Sequence, residues 1–478
     1  MAASSTLHPS VAAEASTEHL VRRWLDDALS ALGQDGAEAP VRARAVDDLE
    51  AILAHRAAEL ACTDAATSAA LVVCLVEAAA RRGWVPATSA ALGTHVLRML
   101  GVRSTTPIGT PIGQLSTPCL VLDRDRLDAN LERMRGRAQA LDVRLRPHIK
   151  TTKSIDIARR AVGPGGPLTV STLREAEHFA RHGFTDLTYA VAIVPDRLDR
   201  VARLSASGVR VGLFVECPAV AAALAAHPGC FEAWIEVDCG EDRTGVRSTE
   251  AVVAIGRILQ QAPRCRLRGV ATHGGHSYAA RSTEAVVAIA EQERVAAVRA
   301  AQALRSVGIP CPEVSVGSTP TAVHAVHLEG VTEFRPGVYT LGDLFQAGID
   351  SLSVDDIACS VLTTVLSHRP RSGRVVIDAG GLALSKDRST AGRAFDAGYG
   401  RLAHAESGAL IDGLMVASVH QEHGEVVAQE AVSAEQLPVG SRLRVLPNHI
   451  CMTAAQYDCY HVIADGHVVA VWPRVNGW

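Results

Sequence analysis

From about residue 117 the chain alternates short apolar runs with longer stretches whose apolar residues recur every three or four positions. The short runs predict strands at 119–123, 143–149, 168–171, 186–192, 209–215, 233–238, 267–273 and 313–317. Helical spacing lies between most of them, as at 124–141, 173–182, 219–226, 249–260 and 283–304. Strands that are apolar on both faces and separated by helices belong to a parallel sheet covered on both sides. Eight such units in roughly 230 residues is close to the size of a closed parallel barrel. The spacing therefore predicts an α/β fold, with a (β/α)8 TIM-type barrel over 107–356.

Beyond about 357 the apolar runs become alternating and are separated by Gly or Pro turns: 361–368, 374–378, 413–420, 442–447, 459–463 and 467–472. That pattern predicts a C-terminal antiparallel β domain over 357–478. Residues 1–106 are alanine-rich with apolar residues at helical spacing, such as Leu20, Trp24, Leu25, Ala28 and Leu29. They read as an N-terminal helical extension without recognisable chemistry.

The 478 residues are 48% hydrophobic and 21% charged, the balance of a globular enzyme. A net charge of -4 gives no reason to expect nucleic acid or an acidic membrane surface as partner. No unbroken apolar run is long enough to span a bilayer. Residues 1–19 lack a basic segment followed by an apolar core, so no secretory leader is expected. The 11 cysteines contain no CxxC pair and read as reduced thiols of a cytoplasmic protein.

Of the 47 basic residues only three, Lys150, Lys153 and Lys386, are lysines. Arginine serves for surface charge but cannot form an imine, because guanidinium stays protonated. A chain this poor in lysine can be expected to keep one where an amine is required, although GC-rich coding depletes lysine equally well. Lys150 ends the second predicted strand, and barrel enzymes work at the strands' C-terminal ends. The loops after later strands read DCGEDRTG at 238–245, THGGHSY at 272–278 and GSTPT at 317–321. A glycine-flanked Ser/Thr cluster there suits a phosphate, held by backbone N–H groups and hydroxyls. His449 and Cys451 stand two apart in a predicted strand, a spacing that turns imidazole and thiolate to one face, where they could grip a metal ion.

In this order RPHIKT at 146–151, those three loops, RPGVY at 335–339, DAGGLALSKD at 378–387, EHG at 422–424 and PNHIC at 447–451 resemble the fold-type III, alanine racemase-like pyridoxal-phosphate enzymes. Within that group the chain is similar to the D-serine dehydratase and D-threonine aldolase family over about residues 115–478. The resemblance implies a small-molecule amino-acid substrate, pyridoxal 5'-phosphate, a divalent metal such as zinc, and a head-to-tail homodimer. It implies that Lys150 is the imine-forming lysine and that His273 is the base or a contact to the cofactor, with His276 a second candidate. It places His148, Arg243, Tyr278 and Tyr339 about the cofactor, Arg335 at its ring nitrogen, and Ser318, Thr319, Thr321, Gly337 and Val338 at its phosphate. His449 and Cys451 become the metal ligands.

In that family a His-x-Cys pair accompanies dehydration and His-x-Asp accompanies aldol cleavage. The expected activity is therefore loss of water from a β-hydroxy-D-amino acid, giving a keto acid and ammonia. The alternatives are retro-aldol cleavage to glycine and an aldehyde, a transaldolase or racemase of the same fold, and a non-enzymatic cofactor carrier. Thr152 stands where the family has histidine, and Leu341-Gly342 where it has aromatic residues. A small residue at 342 implies a wider pocket and a substrate bulkier than serine.

Overall fold

The first strand, β1 (Cys119–Asp123), belongs to a sheet that the chain completes only after residue 358, and the eight strands that follow it form a different sheet. The structure, a computed structural model, describes residues 106–369, 371–428 and 436–478. The helical extension expected over 1–106 lies, apart from Thr106, outside the described residues.

Strands β2 (Arg144–Leu145), β3 (Leu168–Val170), β4 (Asp186–Ala192), β5 (Arg210–Val215), β6 (Phe231–Val237), β7 (Cys265–Thr272), β8 (Glu313–Val316) and β9 (Glu333–Phe334) pair in parallel. Their order is β2-β9-β8-β7-β6-β5-β4-β3. A parallel bridge between His148 and Thr169 joins the two ends and closes the barrel. Eight parallel strands were expected, but 119–123 is not one of them. The eighth is the two-residue strand β9, whose length gives too little pattern to read.

The helices fall within two residues of their expected limits, at Arg124–Ala140, Leu173–Arg181, Pro218–Ala226, Thr249–Gln261 and Thr283–Ser306. Local chemistry fixes their starts. Asp123, Thr172, Ser248 and Ser282 each accept a backbone N–H of the first turn, a cap generally worth about 1 kcal/mol.

The bottom of the barrel is ionic rather than apolar. Arg146 donates from Nε to Glu333 at 3.0 Å and from Nη1 to Asp186 at 2.9 Å. Arg268 reaches Asp186 at 3.0 Å and Glu313 at 3.2 Å. Arg146 and Glu333 are fully buried. Removing one member strands the other, which typically costs about 3–5 kcal/mol.

The second sheet has nine strands in the order β11-β14-β13-β12-β15-β10-β1-β16-β17. They are β10 (Cys359–Arg369), β11 (Arg374–Ile377), β12 (Gly400–His404), β13 (Leu410–Val419), β14 (Gly424–Ala428), β15 (Arg442–Pro447), β16 (Cys459–Ala464) and β17 (His467–Pro473), besides β1. The antiparallel domain was expected, but without β12 and β14, each of which opens on a glycine. β1 lies between β10, antiparallel, and β16, parallel. The chain thus begins its described part in the β domain and crosses into the barrel through the helix Arg124–Ala140. No helix of the described residues is long and apolar enough to cross a membrane.

Candidate active site

Above the C-terminal ends of the barrel strands lies a cavity of about 570 Å³. Lys150 opens into it from the turn that follows the bridge at His148. Of the residues singled out in the sequence, the cavity is lined by His148, Lys150, Arg243, His273, Tyr278, Ser318, Thr319, Arg335, Gly337, Val338, His449 and Cys451. Thr321 and Tyr339 do not line it. Thr321 is turned back to accept the Ser318 N–H at 3.0 Å, and Tyr339 is buried with its hydroxyl unpartnered among the described residues. His276 does not line it either, and both its ring nitrogens are buried without a partner among the described residues.

The Ser/Thr loop is shaped by close approach of backbone. Gly317 has φ +128°, and a Cβ there would stand 2.7 Å from the Arg335 nitrogen. Gly337 packs so tightly that a Cβ would lie 2.6 Å from the His148 carbonyl oxygen. Ser318 caps the short helix Thr319–His324 by accepting the Thr321 N–H at 3.2 Å. The buried carboxylate of Glu293 accepts the Gly317 N–H at 3.0 Å and also the Gly274 N–H, tying the loops after β7 and β8 together. Ser318, Thr319, Gly337 and Val338 face the cavity, a set of hydroxyls and backbone suited to a phosphate, with the Gly337 N–H donating to Thr319 Oγ1 at 3.3 Å.

The charges about Lys150 are held in fixed states. His273 donates from Nδ1 to the Gly317 carbonyl at 2.7 Å. Burial, reinforced by the positive charge of Lys150, pushes its pKa down to about 3, so the ring is neutral. Burial and the same lysine hold His148 well below the usual histidine range. Arg335 is buried, donates to the Thr272 carbonyl at 2.6 Å and to Ser315, and stands 5.4 Å over the Phe214 ring. Arg243 pairs with Glu241 at 3.3 Å beside the opening.

His449 and Cys451 do not sit on a strand. His449 is the N-cap of the helix Ile450–Ala454, and Cys451 lies inside that helix. They converge because the chain turns from extended to helical between them, not because strand residues alternate. Asp343 fixes that turn: its buried carboxylate accepts the Ile450 N–H at 3.0 Å and the Gln346 N–H at 2.8 Å. Burial tends to lower the His449 pKa, but hydrogen bonds to Asp387 and Cys451 outweigh it and raise the value to about 11. Cys451 Sγ is 3.1 Å from Thr151 Oγ1, next to the lysine. One chain therefore brings the pair to Lys150 without help from a partner subunit. Among the described residues no group of three or more His, Cys, Asp or Glu side chains that could hold a metal ion is found.

Neither departure from the family pattern widens the cavity. Thr152 is buried and bonds to the Ile149 carbonyl at 3.3 Å. Gly342 has φ +65° and faces Leu352 and Ile357 behind the cavity. The walls that sequence reasoning missed include Thr151, Glu241, Phe345, Gln346, Ser389 and Met452. Asp387, behind His449, was within the quoted segment 378–387, but nothing in its spacing marks it as a partner.

Comparison with known proteins places the chain among relatives of one architecture. A model described as the alanine racemase N-terminal domain matches residues 122–344, and one described as a putative serine dehydratase domain matches 358–463. The chain is 45% identical over 376 residues to the D-threo-3-hydroxyaspartate dehydratase of Delftia sp. (strain HT23), covering 76% of this chain and 98% of that protein. The solved structure of that dehydratase matches with a TM-score of 0.75 at 43% identity, over 77% of this chain and 100% of that one. It is also known as a cysteine-to-alanine variant in the metal-free form and as a histidine-to-alanine variant, the two positions standing two residues apart. The 3-hydroxy-D-aspartate aldolase of Paracoccus denitrificans (strain Pd 1222) is 30% identical over 384 residues, 76% of this chain and 93% of that protein.

Proposed function

The chain belongs to the family that joins an alanine racemase-like barrel to a serine dehydratase domain, and from that premise we propose that it is a lyase of β-hydroxy-D-amino acids. The reaction is dehydration, with a keto acid and ammonia as products. The observation that carries this reading is the contact between the lysine turn and the metal pair, Thr151 Oγ1 to Cys451 Sγ at 3.1 Å, inside a cavity that also holds a phosphate cradle.

Pyridoxal phosphate, when bound, supplies an electron sink for charge developing at Cα, and a divalent ion such as zinc supplies Lewis acidity. Lys150 provides the amine that anchors the cofactor and, once displaced, can take the Cα proton. Ser318, Thr319 and the backbone at Gly337 and Val338 would hold the phosphate. Arg335 would face the cofactor's ring nitrogen and disfavour its protonation. His273, neutral and fixed by the Gly317 carbonyl, contacts the cofactor's side of the cavity rather than shuttling protons. His449 and Cys451 would hold the ion, whose Lewis acidity would assist loss of the β-hydroxyl.

Similarity to the Delftia enzyme favours a β-carboxylated substrate of the D-threo-3-hydroxyaspartate class. Aldol cleavage is the second reading, favoured by the similarity to the Paracoccus aldolase. We further propose a homodimer working in the cytoplasm. The test is product analysis with D-threo-3-hydroxyaspartate, D-serine and D-threonine in the presence of cofactor and divalent metal. Keto acid plus ammonia supports dehydration; glycine plus aldehyde selects the aldolase; no turnover of any of them rejects the lyase.

A further inference from the structure

The turn that carries Lys150 has no secondary structure of its own to satisfy its backbone, and buried carbonyls require donors. The Ile149 carbonyl is met locally, by the Lys153 N–H at 2.7 Å. Those after the lysine are met by the end of the β domain. Thr151 O accepts from Arg474 Nη2 at 3.1 Å, and Thr152 O from Arg474 Nε at 3.2 Å and from the Tyr460 hydroxyl at 2.8 Å. Lys153 O accepts the Val475 N–H at 2.9 Å. Three consecutive carbonyls are thereby clamped by residues more than three hundred positions away.

Arg474 is 8% exposed. Among the described residues its other contacts include the Tyr457 carbonyl at 3.4 Å and the Tyr460 ring, 5.2 Å from the guanidinium carbon. Burying a guanidinium is costly. An apolar side chain of similar volume would fill the space without that cost, but it could not donate to two successive carbonyls in a fixed fork. The segment it holds bears the reactive amine at Lys150 and the hydroxyl that touches Cys451.

We infer that Arg474 is a positioning residue for the reaction: with Tyr460 and Val475 it sets the lysine turn at a fixed distance from the His449–Cys451 pair. This rests on the lyase reading above. Misplacing reacting groups by about 1 Å can cost roughly a hundredfold in rate. Holding the turn therefore matters to turnover more than to the binding of substrate.

The test compares Arg474→Met, Arg474→Lys and Tyr460→Phe with the parent in the full-length holoenzyme. It measures kcat and KM for D-threo-3-hydroxyaspartate, cofactor content, thermal melting, and backbone amide exchange across 148–154. In Arg474→Met we expect kcat to fall at least about tenfold, KM to stay within about threefold, cofactor content to hold, and exchange across 148–154 to rise. Tyr460→Phe should move the same quantities less, and Arg474→Lys should restore part of kcat. Should Arg474→Met fail to fold, the other two decide. Parental kcat and parental exchange in the folded variants overturn the inference, as does a loss of kcat matched by an equal loss of folded protein. If the parent turns over no β-hydroxy-D-amino acid, the lyase reading fails by itself, and exchange across 148–154 still decides whether Arg474 holds the turn.

Discussion

His449 Nδ1 lies 2.8 Å from a carboxylate oxygen of Asp387, and the ring is hydrogen-bonded to Cys451 as well. A carboxylate behind a ligating histidine fixes the ring's tautomer and orientation and strengthens the ligand. Asp387→Ala is expected to weaken divalent-ion binding roughly 10–100-fold while leaving cofactor binding in place. Metal titration of the variant beside the parent checks it, and equal affinities would remove Asp387 from the ion's support.

Lys150→Arg preserves charge but cannot form an imine. We expect it to abolish borohydride-stable labelling by the cofactor and to lower turnover by about a thousandfold or more. Peptide mapping is unusually clean because the chain has only three lysines. A label persisting on Lys153 or Lys386 in the variant would move the assignment.

His273 has a folded-state pKa pushed down to about 3, first by burial and then by Lys150. The folded value lies below the unfolded one, about 6.5. Between the two the unfolded chain binds the extra proton, so this residue's contribution is complete above pH 6.5 and declines as pH falls towards 3. The His273 ring should show no titration by NMR from pH 5 to 8. An inflection in that range would mean the ring is not buried neutral.

Asp186 is held at about 2 because Arg146 and Arg268 outweigh the burial that would raise it. Its folded pKa is depressed, so the stability it contributes is present above about pH 4 and is lost as pH falls through about 2. The magnitude is about 2 kcal/mol. Asp186→Asn should lose most of that at neutral pH and flatten the acid limb of a stability–pH curve; an unchanged limb would show that the ionic layer is not responsible for acid sensitivity.

Side-chain type and short-range pattern determined much of this protein. Lys150 could be singled out because an amine has no substitute in imine chemistry, and it lines the cavity. Ser318, Thr319, His449 and Cys451 could be singled out from residue type and motif, and folding brings all four to one cavity. Helix limits followed from caps such as Asp123 and Ser282, which act within one turn. Tertiary structure alone decided whatever depends on partners far apart in the chain. An apolar run is equally content in either sheet, and the pairing of β1 with β10 and β16 settled where 119–123 belongs. Two-residue β9 is a strand only because β2 and β8 flank it. Gly342 widens nothing because its backbone turns it towards Leu352, a direction that composition does not encode. Asp387 behind His449, Asp343 beneath Ile450, and Arg474 under the lysine turn are ordinary polar residues until folding brings their partners within hydrogen-bond reach.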